Sequence, residues 1–447
     1  MVMDNQVIES QYPITFREED AQLLGQHIKS RHCVALIGMK RVGIGNFLRF
    51  FLNSGDIATR YLEDKQHLFI QVDLNDLIER EISPFWTLTF KRIVDAVENT
   101  QVSDELKKEI ESLFSDSIQS QDLFMTLDNL RKAVAKLIDN NITPTIFFIR
   151  FDRLKDAVTG EFFDNLQGLR GGTHDKLAYV FTSFRGLTSL SPELPKASLS
   201  AFAYEMYIKP AHHNDIQTIF DTYNKRYHVK LSPELLEGFF DNVDGYVQYL
   251  QFALVSLSEG AAQRALPGGK KEIKTKSELF EHLVKDERIS LQSEELWESL
   301  DEQEKEVLLK VSRGEEVTQE DRAKGKYLWD TGFISEYGET RTLFSPLFGY
   351  YLKQHEKKNV PEASGAIEDF TKKEHGLFTL LQSRLGKVFE RDEIIKMVWP
   401  EAEAFGVSDW AIDRLVARVR VKLKTQKSSF EIQTIKTRGY KLVESTK

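Results

Sequence analysis

Two sets of residues in this 447-residue sequence have types and spacing suited to chemistry. The first is the run Gly38-Met39-Lys40-Arg41-Val42-Gly43-Ile44-Gly45-Asn46. A phosphate-cradling loop has the form G-x-x-x-x-G-K-[ST], in which glycines turn backbone N–H groups toward the phosphates, the lysine holds the terminal charge and the hydroxyl ligates magnesium. Gly38 and Gly43 keep that spacing, but Ile44 stands at the lysine position and Gly45 at the hydroxyl position. Lys40 and Arg41 are the cations that remain within reach of a phosphate from inside the loop. The second set is basic and lies near the end of the chain. Arg414 and Arg418 are spaced i, i+4 beside Ala411, Ala417 and Val421, opposite the apolar series Ile412, Leu415, Val416, Val419 and Leu423. A helix entering the major groove needs such a stripe, because arginine reaches guanine O6 and N7 and lysine or arginine binds phosphates. Lys436, Thr437 and Arg438 follow at the tip of a predicted hairpin, where a wing would meet the minor groove or the backbone.

The elements that must position these residues follow from the hydrophobic pattern. Helix, strand, glycine loop and helix succeed one another over residues 17–53, which puts the loop between a buried strand and a helix N-terminus. Apolar runs at 67–74, 145–152 and 177–184 alternate with helical stretches at 83–99 and 130–141, the order of an α/β parallel sheet. Phe50-Phe51 and Phe147-Phe148 lie in such runs and read as core. A helical region covers about 213–262, and ALPGGKKEIKTK after it reads as an exposed loop. Residues 294–354 suggest helices followed by a short hairpin, and the polar run 353–366 a linker. Near the end, helices at 376–385 and 391–399 precede Val407-Ser408-Asp409, which offers an N-cap to a long helix at 409–424. Two β runs joined by Thr437-Arg438-Gly439 close the pattern. The expected domains are a phosphate-loop α/β domain at 1–212, a helical lid at 213–290, a connector winged helix at 291–354, a linker at 355–368 and a terminal winged helix at 369–447.

Composition narrows the function classes. With 41% hydrophobic and 29% charged residues and one cysteine, Cys33, the chain is neither a disordered segment nor a disulfide scaffold, and a reducing, cytoplasmic setting is expected. It contains no apolar stretch of membrane-spanning length, so no membrane partner is expected. The net charge of −9 hides an asymmetry: from Asp409 to Lys447 ten Lys and Arg stand against four Asp and Glu, so that tail carries +6 and the preceding 408 residues −15. A basic module on an acidic body is an electrostatic footprint for nucleic acid, since phosphate neutralisation is local. His212-His213 lacks partners at metal spacing, and no C-x-x-C, H-E-x-x-H or G-x-S-x-G occurs, so neither a metal site nor a nucleophile is expected.

Both ends of the sequence resemble known families. The order helix, VALIG-x-K-R-VG, helix is similar to the nucleotide-binding domain of STAND and related AAA+-like ATPases, whose loop commonly reads G-x-R-x-V-G-K-T-S-L; the likeness covers roughly residues 15–260. It implies that Asp152, at the end of IFFIRFD, stands at the magnesium-binding acid, with Arg153 in place of the water-activating Glu. It further implies that Thr182, Ser183 and Arg185 belong to a sensor strand and that Gly245, in VDGYVQYLQ, opens a lid helix. Residues 369–444 resemble the winged-helix effector domain of OmpR/PhoB-type response regulators through the VSD start, Asp413, Arg420, Lys422-Leu423 and the QTIKTRGYKL ending. That resemblance implies duplex-facing roles for Trp410, Ala411, Arg414, Ala417, Arg418 and Lys422, although Trp410 stands where the family often has Arg.

Phosphoryl transfer is almost wholly positioning and electrostatics, so a loop without its lysine and hydroxyl, and without a base after Asp152, is not expected to hydrolyse ATP. No cofactor is expected, and ATP or ADP would bind weakly. The leading expectation is a cytoplasmic regulator that binds double-stranded DNA, with the ATPase-like domain sensing a signal or docking a protein partner, and with a homo-oligomer compatible with the tandem domains. The competing expectation is a protein-interaction scaffold or adaptor in a defence or mobile-element assembly.

Overall fold

A computed structural model describes residues 7–63, 66–190, 202–264, 273–338, 340–359, 370–399, 409–426, 428–435 and 438–444. Internal contacts divide the chain into two units, Met1–Leu283 with Glu302–Gly349, and Val284–Asp301 with Tyr350–Lys447. Residues 265–272 of the lysine-rich loop, 360–368 of the linker and the Val407-Ser408 cap lie outside the described residues. Among the described residues no helix is long and apolar enough to cross a membrane.

The first unit is built on a five-stranded parallel sheet in the order β2-β3-β4-β1-β5. The strands are β1 (Cys33–Ile37), β2 (His67–Asp73), β3 (Thr143–Ile149), β4 (Ala178–Ser183) and β5 (Ala203–Tyr207). β1 is an interior strand: Val34 pairs with Val180 on one side and with Tyr204 on the other. Every residue of β1 and β4 is buried, which is why both read as unbroken apolar runs and not as alternating ones. The aromatic pairs expected in the core are there: Phe50, Phe51, Phe147 and Phe148 have no exposed surface. Strand β3 stops at Ile149, short of the run expected to 152, and Phe151 and Asp152 turn away in a short 3-10 helix, Phe151–Ala157.

The lid region consists of the helices His213–Tyr227, Pro233–Val243, Val247–Arg264 and Lys276–Val284. The helix Glu287–Glu298 spans the boundary expected at 290 and belongs by its contacts to the second unit. Three helices (Glu302–Arg313, Gln319–Lys324, Lys326–Asp330) and the hairpin β6 (Ile334–Tyr337) and β7 (Thr340–Leu343) form the connector, a small winged-helix arrangement. It is bonded to the end of the parallel sheet. The Arg185 guanidinium donates to both oxygens of Glu304 at 2.6 and 2.7 Å and lies 3.9 Å from the centre of the Tyr327 ring, while the Tyr327 hydroxyl donates to the Phe184 carbonyl at 2.7 Å. The Ser345 hydroxyl adds a bond to the Asn242 carbonyl, also 2.7 Å.

The C-terminal part of the second unit has its own core, in which Leu377, Phe389, Ile394, Ile412, Leu415, Val419 and Leu442 converge. Its helices are Lys372–Gln382, Arg391–Val398 and Asp409–Thr425, and its sheet has the order β8-β10-β9, with β8 (Phe389–Glu390), β9 (Phe430–Ile435) and β10 (Gly439–Glu444). This is a winged helix with the long helix expected at 409–424 and the expected hairpin. The linker expected to begin at 355 is helical as far as Asn359, within the helix Pro346–Asn359.

Glu304 is buried and pairs with the Arg185 guanidinium, which is stacked on Tyr327, so removing it takes this carboxylate from a cation in a poorly hydrated site. Glu304→Ala is expected to destabilise the first unit by about 3–5 kcal/mol in urea unfolding, and adding Arg185→Ala to recover part of that loss. Additive losses would show that the pair does not couple.

Candidate functional site

The glycine loop has the backbone of a phosphate cradle and the surroundings of a packed joint. It leaves β1 after Ile37 and enters the helix Ile44–Asn53 through Gly43, whose φ of +118° is a conformation glycine adopts at little cost. A Cβ on Gly43 would lie 2.7 Å from Cγ2 of Val247, so the start of the lid helix rests directly on the loop. Next to it Tyr246 is fully buried and donates its hydroxyl to the Lys40 carbonyl at 2.6 Å. Phe344, from the connector, packs on Tyr246 and Tyr249 with ring centres 5.2 and 6.0 Å apart. The two cations that could have served a phosphate are engaged: Lys40 Nζ lies 5.0 Å from the Phe184 ring centre, and Arg41 donates to Gln248 at 3.2 Å. Gly38 is buried against the Ile208 carbonyl, Ile44 is half-buried, and Gly45 is exposed. Burial pushes the Asp152 carboxyl above its ordinary range, against the pull of Lys40, Arg153 and Arg150 nearby. In β4, Thr182 accepts the Arg150 N–H at 2.8 Å. Among the described residues no group of three His, Cys, Asp or Glu converges as a metal ion would need.

In the second unit the helix Asp409–Thr425 carries the expected stripe, but its residues divide. Arg414 and Arg418 do lie side by side, and both guanidiniums donate to one carboxylate, that of Glu294 on the helix Glu287–Glu298. Arg414 sits 2.8 Å from Glu294 Oε1 and 4.0 Å from Glu298. Burial works against the Arg414 charge, and the bond and field of Glu294 outweigh it, so its pKa rises. Ala411 and Ala417 lie half-buried between the arginines, and Val421 is exposed.

Lys422 does not join the stripe. Its ammonium donates to the buried Glu374 at 2.8 Å, the same carboxylate that receives the Thr371 N–H in a capping box at the start of Lys372–Gln382. A buried carboxylate needs a cation, and Lys422 supplies it, so its role is to hold two helices together. Asp413 and Arg420 are also clamps. Asp413 pairs with Arg391 at 2.6 Å and accepts the Tyr440 hydroxyl, and Arg420 donates to the Ile432 carbonyl and Thr434 of β9 at 2.9 and 2.8 Å. Arg438 is exposed at the turn between β9 and β10; Lys436, Thr437 and the Trp410 side chain lie outside the described residues.

The sequence reading missed the partners of these cations. Glu287, Glu294 and Glu298 are spaced i, i+7, i+11, a one-sided acidic stripe, and that periodicity was the available signal. Nothing local marks Glu304 as the partner of Arg185 or Tyr246 as the cover on Lys40.

Residues 366–442 match the family described as "Transcriptional regulatory protein, C terminal". No curated protein matches the chain significantly. Solved structures similar to it include the Walker-type ATPase PABY2304 of Pyrococcus abyssi, with 13% identity, 78% of this chain and 100% of that one covered and a TM-score of 0.45. The ORC2 protein of Aeropyrum pernix, in ADPNP and ADP complexes, shares 13% identity over 80% of this chain and 99% of its own, with a TM-score of 0.47. The Aeropyrum pernix ORC1 protein in complex with DNA shares 15% over 79% and 95%, with a TM-score of 0.39.

Tyr246 and Val247 rest on the loop at Lys40 and Gly43, beside residues 44 and 45. The double substitution Ile44→Lys, Gly45→Thr is therefore expected to give no thermal shift with magnesium and ATP, since a ligand of the folded state alone must raise stability. A dose-dependent rise in Tm would show the loop to be open.

Proposed function

We propose that this protein is a DNA-binding transcriptional regulator in which the ATPase-like unit neither hydrolyses ATP nor depends on it, and serves to sense a signal or dock a protein partner. The observation that carries the reading is the C-terminal winged helix: a segment of the transcriptional-regulator family with two arginines side by side on its long helix and a basic hairpin turn. Paired arginines at i, i+4 have the reach and fork geometry to read base edges, and the exposure of Arg438 at the hairpin turn supports a phosphate contact there. Loss of turnover is supported by Ile44, Gly45 and Arg153 at three separate positions and by the residues packed on Lys40 and Gly43. The net charge of the terminal module favours a polyanion over an acidic-surface-free protein partner, which sets this reading above the scaffold.

Fluorescence anisotropy of the full chain against random duplex DNA at two salt concentrations tests it. Log K is expected to fall steeply with log salt. Arg418→Ala is expected to cost about 1–3 kcal/mol, and Arg438→Ala to weaken binding with little sequence preference. Absence of salt-dependent association, both in the native chain and in a Glu294→Gln variant, would overturn DNA binding and leave the scaffold.

A further inference from the structure

The duplex-facing arginines are already occupied by an internal polyanion. Glu294 is a carboxylate on a fully helical segment, its side chain 11% exposed, and it takes a charge-assisted bond from both Arg414 and Arg418. Glu298 lies one turn further along the same face, 4.0 Å from Arg414. Glu287 completes the stripe at the other end, half-buried where the charges of Lys373 and Arg418 reach it. Three carboxylates in a row on a rigid rod, set against the guanidiniums that would meet bases and phosphates, present the same chemistry to those arginines as one edge of a duplex.

We infer that the helix Glu287–Glu298 is an intramolecular competitor for DNA: it covers the arginine stripe of the helix Asp409–Thr425 in the free protein and must leave before the stripe can enter a groove. The inference rests on the DNA-binding reading. Arg414 and Arg418 cannot face Glu294 and a base edge at once, because the helix that carries Glu294 lies against the same side of the long helix that a groove would have to receive. Connectivity makes the competitor a controllable one. The chain on either side of it, up to Leu283 and from Glu302 onward, belongs to the first unit, so a partner that repositions either flank bears on the helix directly. Binding of DNA and of that partner would then be reciprocally linked.

The two halves of the ion pair give opposite signs, which a merely structural pair would not. In the full chain, Glu294→Gln is expected to tighten binding to random duplex DNA by about tenfold or more, within the usual range of coupling between sites, while Arg418→Ala weakens it. Glu298→Gln, on the more exposed end of the stripe, gives a smaller gain in the same direction and decides the matter if Glu294→Gln does not fold. Removing the same charge at Glu302, whose side chain is 90% exposed on the first unit, leaves affinity within about twofold. Three results overturn the inference. Glutamine variants that bind no tighter than the native chain, while Arg418→Ala still loses binding, leave DNA binding standing and remove the competitor. A gain from Glu294→Gln that survives the addition of Arg418→Ala, or an equal gain from Glu302→Gln, shows that the released surface is not the arginine stripe. No salt-dependent binding by any variant removes the DNA-binding reading and this inference with it.

Discussion

Strand β1 sets the constraint from which the first unit follows. It is buried along its whole length between β4 and β5, so its backbone is paired on both edges and both faces are covered by packed elements. The chain leaving it must turn at once and enter a helix without burying an unpaired amide. Gly38 and Gly43 are what that turn requires: a Cβ at Gly38 would lie 2.7 Å from the Ile208 carbonyl, and Gly43 takes a positive φ. The glycine spacing therefore has a purely architectural reason to stand even where the lysine and hydroxyl do not. Form and chemistry are separable in this loop, and here Tyr246 bonds to the Lys40 carbonyl and Val247 packs on Gly43.

The same separation runs through the second unit. Three of the residues that carry the likeness to the winged-helix effector domains, Asp413, Arg420 and Lys422, are internal clamps that tie the long helix to Arg391, β9 and Glu374. They fix the long helix within its own core, while a different set, Arg414 and Arg418, meets the Glu294 carboxylate.

Much of this was legible in the sequence, and the limits have physical causes. Apolar runs buried on both faces gave away β1, β3 and β4, and the 3.6-residue period of Ile412, Leu415, Val416, Val419 and Leu423 gave the long helix. Strand β5 escaped because it is an edge strand with Tyr204 and Glu205 turned outward, so it carries no apolar run. The helix Asp104–Ser120 was passed over although Ser103 caps it and its apolar residues recur at helical spacing. Resemblance placed Arg185 and Lys422, and local pattern Arg414, as candidate functional cations, but neither could say what each would meet, since their carboxylates lie 119, 48 and 120 residues away in sequence. Long-range charge pairing has no period to detect.

That separation of 120 residues between Glu294 and Arg414 has a consequence for how the chain is made. At about 5–20 residues per second of synthesis, the helix Glu287–Glu298 leaves the ribosome roughly ten seconds before the surface it will cover. A segment that must wait for its partner is a hazard if it waits with an apolar face, because nascent chains aggregate through such faces. An acidic stripe waits hydrated and repels its own kind. The helix also carries Ile289, Leu291, Leu296 and Trp297, all buried in the folded chain, so the acidic stripe keeps one side of it hydrated until the later module emerges.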